Sequence, residues 1–95
     1  MIKILFIASE ADPLIKVGGL GDVAGSLPMA LKKIKYKGET VDIRLALPYH
    51  PVIRQKYPNV EQVTAFSIQT SSGPVSAQIH QMELNGLPIY LINGS

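Results

Sequence analysis

The sequence predicts an α/β fold built on a doubly wound, largely parallel sheet. Residues 2–8 form an apolar run interrupted only by Lys3 and too short for a helix of ordinary length, as in a strand buried on both faces. A helical pattern follows from about Gly21, and residues 41–47 form a second apolar strand, interrupted by Asp42 and Arg44, that Pro48 ends. Strand, helix and strand in about 45 residues make a βαβ unit, whose crossover is expected to be right-handed.

The predicted helix has one apolar stripe, interrupted by a proline. Pro28 removes one intrahelical hydrogen bond but should kink the helix rather than end it, because the stripe continues in phase beyond it. Gly38 is expected to stop the helix. The lysines near that end suit a solvated terminus that complements the helix dipole. The stripe consists of Val23, Ala24, Leu27, Ala30, Leu31 and Ile34.

The rest of the chain predicts a short helix, a hairpin and a last buried strand. Residues 50–57 suit one short helix, and residues 63–70 and 75–83 suit two strands joined by the turn 71–74. A strand over 87–92 follows the Asn85-Gly86 turn. A doubly wound sheet would place a covering helix after that strand, so the chain is expected to be an incomplete single domain.

Composition excludes several classes of function. A net charge of +2 with no Trp argues against a nucleic-acid surface, and the lack of Cys removes disulfides, thiolate metal sites and thiol nucleophiles. The N-terminal apolar run is shorter than the ~7–15 residues of a signal peptide, and no stretch reaches the ~18 of a membrane span. We therefore expect a soluble cytoplasmic protein. His50 and His80 lie far apart without companion ligands, so no zinc site is expected.

The segment from Ser9 to Asp22 carries the chemistry. It joins the carboxyl end of the first strand to a helix N-terminus, where open α/β sheets bind ligands. Gly18 and Gly19 permit positive φ and close approach of a ligand, free amides near 21–23 offer an anion site, and Lys16 adds a positive charge. These parts make a diphosphate cradle without a metal, although an ordinary glycine-rich surface loop fits the same residues equally well.

Two phosphate-binding motifs fit less well. Gly19-x-Gly21-x-x-Ala24 matches the dinucleotide fingerprint, but in that fold the first glycine follows the strand almost at once, and here ten residues separate Ala8 from Gly19. The P-loop pattern is absent.

Two carboxylates in this segment have alternative roles. Asp22 is either a first-turn residue that interacts with the helix dipole or an acceptor for a sugar hydroxyl. Glu10 either fixes the loop or faces a ligand, and we favour fixing the loop.

The run from Ser9 to Leu31 resembles the N-terminal signature of bacterial glycogen synthases and plant starch synthases. The shared pattern is a strand, Ser-Glu, a Pro, Lys-x-Gly-Gly-Leu-Gly-Asp-Val and Leu-Pro-x-Ala-Leu. The residues that match it are Ser9, Glu10, Pro13, Lys16, Gly18, Gly19, Leu20, Gly21, Asp22, Val23, Leu27, Pro28, Ala30 and Leu31.

The resemblance implies a Rossmann-like three-layer sandwich, of which residues 1–95 form the first part. On this resemblance that sandwich would be the N-terminal domain of a GT-B glycosyltransferase, and the C-terminal nucleotide-binding domain is expected to lie outside residues 1–95. The implied activity is retaining transfer of glucose from ADP-glucose to the non-reducing end of an α-1,4-glucan, without a cofactor or metal. By analogy Lys16 would contact the phosphates of the nucleotide sugar, Gly18 and Gly19 would wrap the donor, and Asp22 would lie beside the donor site. No catalytic residue is assigned to this stretch.

Three hypotheses follow. The first is a glucosyltransferase fragment that is inactive alone, and the second is a stand-alone sugar-nucleotide-binding or regulatory module without catalysis. A nicotinamide-dependent oxidoreductase is the third, and only the match to the dinucleotide fingerprint suggests it.

An exposed edge or face of a truncated sheet also predicts self-association. Membrane and nucleic-acid partners are not expected, and the resemblance implies that the residues that would read the donor base lie outside these 95 residues.

Overall fold

A computed structural model describes residues 1–15, 18–34 and 37–94. The chain forms five strands and two helices in the order β1 (Ile2–Ile7), α1 (Gly19–Lys32), β2 (Val41–Pro48), α2 (Pro51–Lys56), β3 (Glu61–Thr70), β4 (Gly73–Leu84) and β5 (Leu87–Gly94).

The strands make one mixed sheet with the spatial order β1-β2-β5-β4-β3. β1 and β2 pair in parallel, with Ile4 opposite Ile43, so the predicted βαβ unit is confirmed. β5 also runs parallel to β2, whereas β4 is antiparallel to both β5 and β3. The crossover through α1 therefore makes β1 and β2 parallel, and the two hairpins make β4 antiparallel to its neighbours β3 and β5.

The hydrophobic core lies on one face of the sheet. Alternate residues of β2 and β5 point towards it, and α1, α2 and the loop after β1 cover them. Its buried members are Ala11, Leu14, Ala24, Ile43, Leu45, Leu47, Tyr49, Ile53, Leu87, Ile89 and Leu91.

The expectation that β1 is buried on both faces is wrong for this chain. Its residues alternate, and Leu5 and Ile7 are 56% and 74% exposed. After Lys3, polar and apolar residues do not alternate along β1, because both faces of the strand are apolar. Among the described residues, only the face that carries Ile4 and Phe6 packs against the core. The opposite face of the sheet, which we call the open face, carries Leu5, Ile7, Ala46, Tyr90 and Ile92.

Helix α1 begins and ends earlier than the pattern predicts. It starts at Gly19 rather than near Gly21 and ends at Lys32, well before Gly38. Lys37 and Gly38 have φ of 51° and 80°, so Gly38 serves the turn that leads into β2. Pro28 lies inside the helix, which continues beyond it as predicted.

The predicted stripe on α1 is only partly the packed face. Ala24 is buried, but Val23 and Leu27 are 48% and 40% exposed. The buried residues of α1 are Gly21, Ala24 and Pro28. The helix packs through small residues because it lies close to the loop that precedes it. The spacing of large apolar residues along the sequence does not reveal this close approach.

The predicted hairpin forms as β3 and β4, and the predicted Asn85-Gly86 turn joins β4 to β5 in a second hairpin. The β3–β4 turn is shorter than the predicted four residues, since Gly73 and Pro74 already belong to β4. The Thr70 hydroxyl stabilises this turn, because Oγ1 donates to the Gly73 carbonyl at 2.6 Å and accepts from the Ser72 amide at 3.2 Å. In the β4–β5 turn, Asn85 and Gly86 have φ of 53° and 79°, the left-handed pair of a type I′ turn.

Candidate ligand-binding site at the strand ends

The candidate site lies beyond the carboxyl ends of the parallel strands β1 and β2. Along the chain, residues 8–18 join β1 to α1, which begins at Gly19, and His50 follows β2. Loops at this end of parallel strands are where open α/β sheets bind ligands.

Glu10 holds the glycine-rich part of this loop against the start of α1. Its side chain is 8% exposed, and Oε1 accepts hydrogen bonds from the amides of Gly18 at 3.1 Å and Gly21 at 2.8 Å. A carboxylate at a helix N-terminus also interacts favourably with the helix dipole. The prediction that Glu10 fixes the loop is therefore confirmed.

This role of Glu10 corrects the prediction of free first-turn amides. The Gly21 amide is not open to an external anion, because both Glu10 Oε1 and the Gly18 carbonyl, at 3.1 Å, accept from it. An incoming phosphate would have to bind elsewhere on this turn or displace the carboxylate.

Gly18 and Gly19 are not needed for positive φ in this structure. Gly18 caps the helix with φ of −153°, which is extended backbone, and Gly19 is the first helical residue. A Cβ added to Gly18 would meet Glu10 Oε1 at 3.8 Å, and one added to Gly19 would meet nothing within 4 Å. The prediction of close approach still suits Gly19, because the absent side chain leaves open space beside the helix N-terminus.

The other two predicted site residues, Lys16 and Asp22, precede and follow these glycines in the sequence. Asp22 is exposed in the first turn of α1, and its backbone carbonyl accepts from Ser26 Oγ at 2.8 Å. Lys16 lies outside the described residues, so its predicted role stays a prediction.

His50 joins the loop at an open cleft. Its Nε2 lies 3.2 Å from the Ser9 carbonyl, and the cleft is lined by Ser9, Glu10, Ile15, Gly18 and His50. The sequence predicts a solvated or hydrogen-bonded histidine, which is confirmed. Its place beside the glycines was missed, because only the pairing of β1 with β2 brings their ends together.

His80 lies elsewhere, on the core side of β4. Its ring packs against Tyr49 with centroids 4.9 Å apart, and Nδ1 lies 3.3 Å from the Val60 carbonyl. Within residues 1–15, 18–34 and 37–94, no group of three or more His, Asp or Glu residues could hold a metal ion.

Gly25 positions the loop and was also missed. A Cβ at this residue would lie 2.4 Å from the Asp12 carbonyl oxygen, so only glycine lets α1 approach the loop this closely. The Asp12 amide in turn donates to the Gly21 carbonyl at 2.9 Å. The small residues Gly21, Ala24 and Gly25 on one side of the helix were the available signal.

The fold, with a loop at the carboxyl ends of parallel strands, is that of an open α/β protein, a class that binds its ligands at this end of the sheet. Comparison with known proteins makes the class specific. The model of the starch synthase catalytic domain matches residues 3–95, so the chain belongs to this family.

Individual relatives agree with this assignment. The chain is 40% identical over 95 residues to a glycogen synthase of Lacticaseibacillus casei and 39% identical over 94 residues to one of Hydrogenovibrio crunogenus. These alignments cover 98% and 97% of this chain but only 19% and 18% of the two relatives. The chain thus spans about a fifth of their length.

A solved structure supports the fold. The catalytic domain of starch synthase IV from Arabidopsis thaliana, bound to ADP and acarbose, superposes with a TM-score of 0.80 and 26% identity over 99% of this chain and 18% of that one. The expected incomplete GT-B fold is therefore confirmed. Among the described residues, no helix is long and apolar enough to cross a membrane.

Proposed function

We propose that this chain supplies part of the donor site of a glycogen or starch synthase. The longer protein would transfer glucose from ADP-glucose to the non-reducing end of an α-1,4-glucan. The observation that carries the proposal is the loop at the strand ends, fixed by Glu10 and open at Gly19, in a chain of the starch synthase catalytic domain family. The ADP and acarbose bound to the starch synthase IV domain are consistent with a nucleotide-sugar donor and a glucan acceptor.

The chain's own residues would act on the departing diphosphate. As the bond between glucose and phosphate breaks, negative charge builds on the phosphate oxygens. The Lys16 ammonium would stabilise this charge more in the transition state than in the ground state. Gly19 would let the phosphates approach the backbone. The exposed Asp22 carboxylate would accept a hydrogen bond from a sugar hydroxyl of ADP-glucose.

The 95 residues alone are expected to be inactive. They offer one side of a site whose base-reading and remaining charged residues would come from a second domain, so neither adenine recognition nor transfer is complete. We expect ADP-glucose to bind with a Kd of roughly 1 mM or weaker.

A binding experiment with a matched control tests this proposal. Isotope-labelled chain is titrated with ADP-glucose and with glucose, and amide shifts are followed by NMR. ADP-glucose is expected to shift the amides of 18–22 and that of His50, and glucose is expected to shift neither. Lys16→Gln should weaken binding about fivefold, whereas Lys33→Gln, at the far end of α1, should leave it unchanged. Equal effects of the two variants would contradict the proposal.

The alternative is a stand-alone module that binds a sugar nucleotide without catalysis. A Kd in the low micromolar range for the chain alone would favour it. The mass of the native product, detected with an antibody to residues 9–31, provides a second criterion. A product several times heavier than 10.3 kDa supports the synthase, and one of about that mass supports the module.

A further inference from the structure

The outer strand β3 is unusually open for pairing with another chain. It lies at the end of the sheet and pairs only with β4, so its other edge meets no described residue. All ten of its residues are exposed. An edge of this kind presents a row of backbone donors and acceptors to any strand that can align with it.

The sequence of β3 does not protect this edge. Residues 64–70 contain no charged residue, no Pro and no Gly, and the single charge of the strand is Glu61 at its start. Proteins usually block such edges with charges, prolines or bulges. The irregularity between Gln62 and Thr64 disrupts only the beginning of the strand. β1, at the opposite end of the sheet, has six residues and carries Lys3.

The regular stretch of β3 is self-complementary. Its midpoint is Ser67, so an antiparallel two-fold pair centred there places Ser67 opposite the partner's Ser67. Phe66 then lies opposite the partner's Ile68, and Thr64 opposite the partner's Thr70. Aromatic pairs with β-branched residues and pairs of threonines both stabilise antiparallel strands. Glu61 lies outside the paired stretch, so no like charges meet.

The exposed side chains give this pairing a hydrophobic component. Phe66 and Ile68 are 46% and 48% exposed, and they lie opposite Ala77 and Val75 of β4 on the open face of the sheet. In the two-fold pair each would be partly covered by the partner's aromatic or aliphatic side chain. Because the same strand serves both copies, the contact is isologous and closes at a dimer.

We infer that two copies of this chain pair through β3, with Ser67 on the two-fold axis, so that their two five-stranded sheets become one continuous sheet. This inference is independent of the proposed donor site, which lies at the β1–β2 end of the sheet.

Charge exchange at Ser67 tests both the dimer and its register. The dimer Kd of the 95-residue chain is measured by sedimentation velocity for the wild type, Ser67→Lys and Ser67→Glu. Each variant alone should raise the Kd about fivefold, because like charges directly opposite each other destabilise paired strands. An equimolar mixture should restore association, since the introduced ammonium would then face the introduced carboxylate across the axis. Ser26→Lys, an equal change on the exposed side of α1, should have no effect.

Three results would overturn the inference. They are a wild type that stays monomeric at millimolar concentration, a dimer insensitive to both substitutions, and a mixture no tighter than either variant alone. Hydrogen exchange of the wild type provides a test that needs no variant. The amides of 64–70 should gain protection with rising protein concentration, and protection confined to the open face of β1 and β2 would contradict the β3 interface.

Discussion

At the scale of single residues, Glu10 is the side chain on which the candidate site depends most directly. It is buried, and it satisfies two amides at the point where the loop becomes a helix. The same carboxylate therefore determines both the shape of the glycine segment and the charge beside it. A phosphate that bound here would meet a site already occupied in part by an internal anion.

We expect Glu10→Ala to lower the free energy of unfolding by about 2–3 kcal/mol, because it leaves amides without a charged acceptor. Glu10→Gln keeps an acceptor oxygen and should cost about 1 kcal/mol. Urea denaturation of both variants measures the two losses. Glu83→Ala, an exposed carboxylate on β4, serves as the control and should change stability by less than about 0.5 kcal/mol. Equal losses for Glu10→Ala and Glu83→Ala would contradict the role of Glu10.

At the scale of secondary-structure elements, the close contact between α1 and the preceding loop sets the position of the site. The helix packs through Gly21, Ala24 and Pro28, and Gly25 lies against the Asp12 backbone. Because these residues are small, the helix axis approaches the loop and the helix N-terminus is carried to the strand ends.

Two glycines of α1 should respond oppositely to alanine. Gly25→Ala places a Cβ 2.4 Å from the Asp12 carbonyl oxygen and should cost about 1–3 kcal/mol through overpacking. Gly19→Ala meets open space and should be neutral or stabilise by up to about 1 kcal/mol, because alanine has the higher helix propensity. Thermal unfolding of both variants measures the difference, and a loss at Gly19 as large as that at Gly25 would show that contact with Asp12 is not the cause.

At the scale of the whole molecule, the sheet has one covered and one open face. The core residues of β2 and β5 point towards α1 and α2, while Leu5 and Ile7 of β1 stay exposed on the opposite side. Stability should therefore depend almost entirely on one face.

A pair of isoleucines on adjacent strands tests this asymmetry. Ile43→Ala, on the covered face with 2% exposure, should cost about 2–5 kcal/mol because it leaves a cavity. Ile7→Ala, 74% exposed on the open face, should cost less than about 0.5 kcal/mol. Guanidinium denaturation of both variants is the measurement, and similar losses would mean that the open face is covered in solution.

Local sequence patterns were enough to establish the elements and the family. Apolar runs predict the first and second strands, and a turn signal between two strand-like segments predicts the hairpin. The Asn85-Gly86 pair predicts its turn, and the signature from Ser9 to Leu31 points to the starch synthase catalytic domain family. These features are local, since each depends on residues close together in the chain.

Which apolar residues are buried, and what the first-turn amides bind, emerged only from the folded chain. Leu5 and Val23 are exposed although their patterns predict burial, because nothing among the described residues packs against them. The hydrogen bond from the Gly21 amide to Glu10, the contact of Gly25 with Asp12 and the place of His50 beside Ser9 join residues from 11 to 41 positions apart. Such contacts depend on how strands pair and how closely a helix approaches, which the spacing of residue types along one chain does not specify.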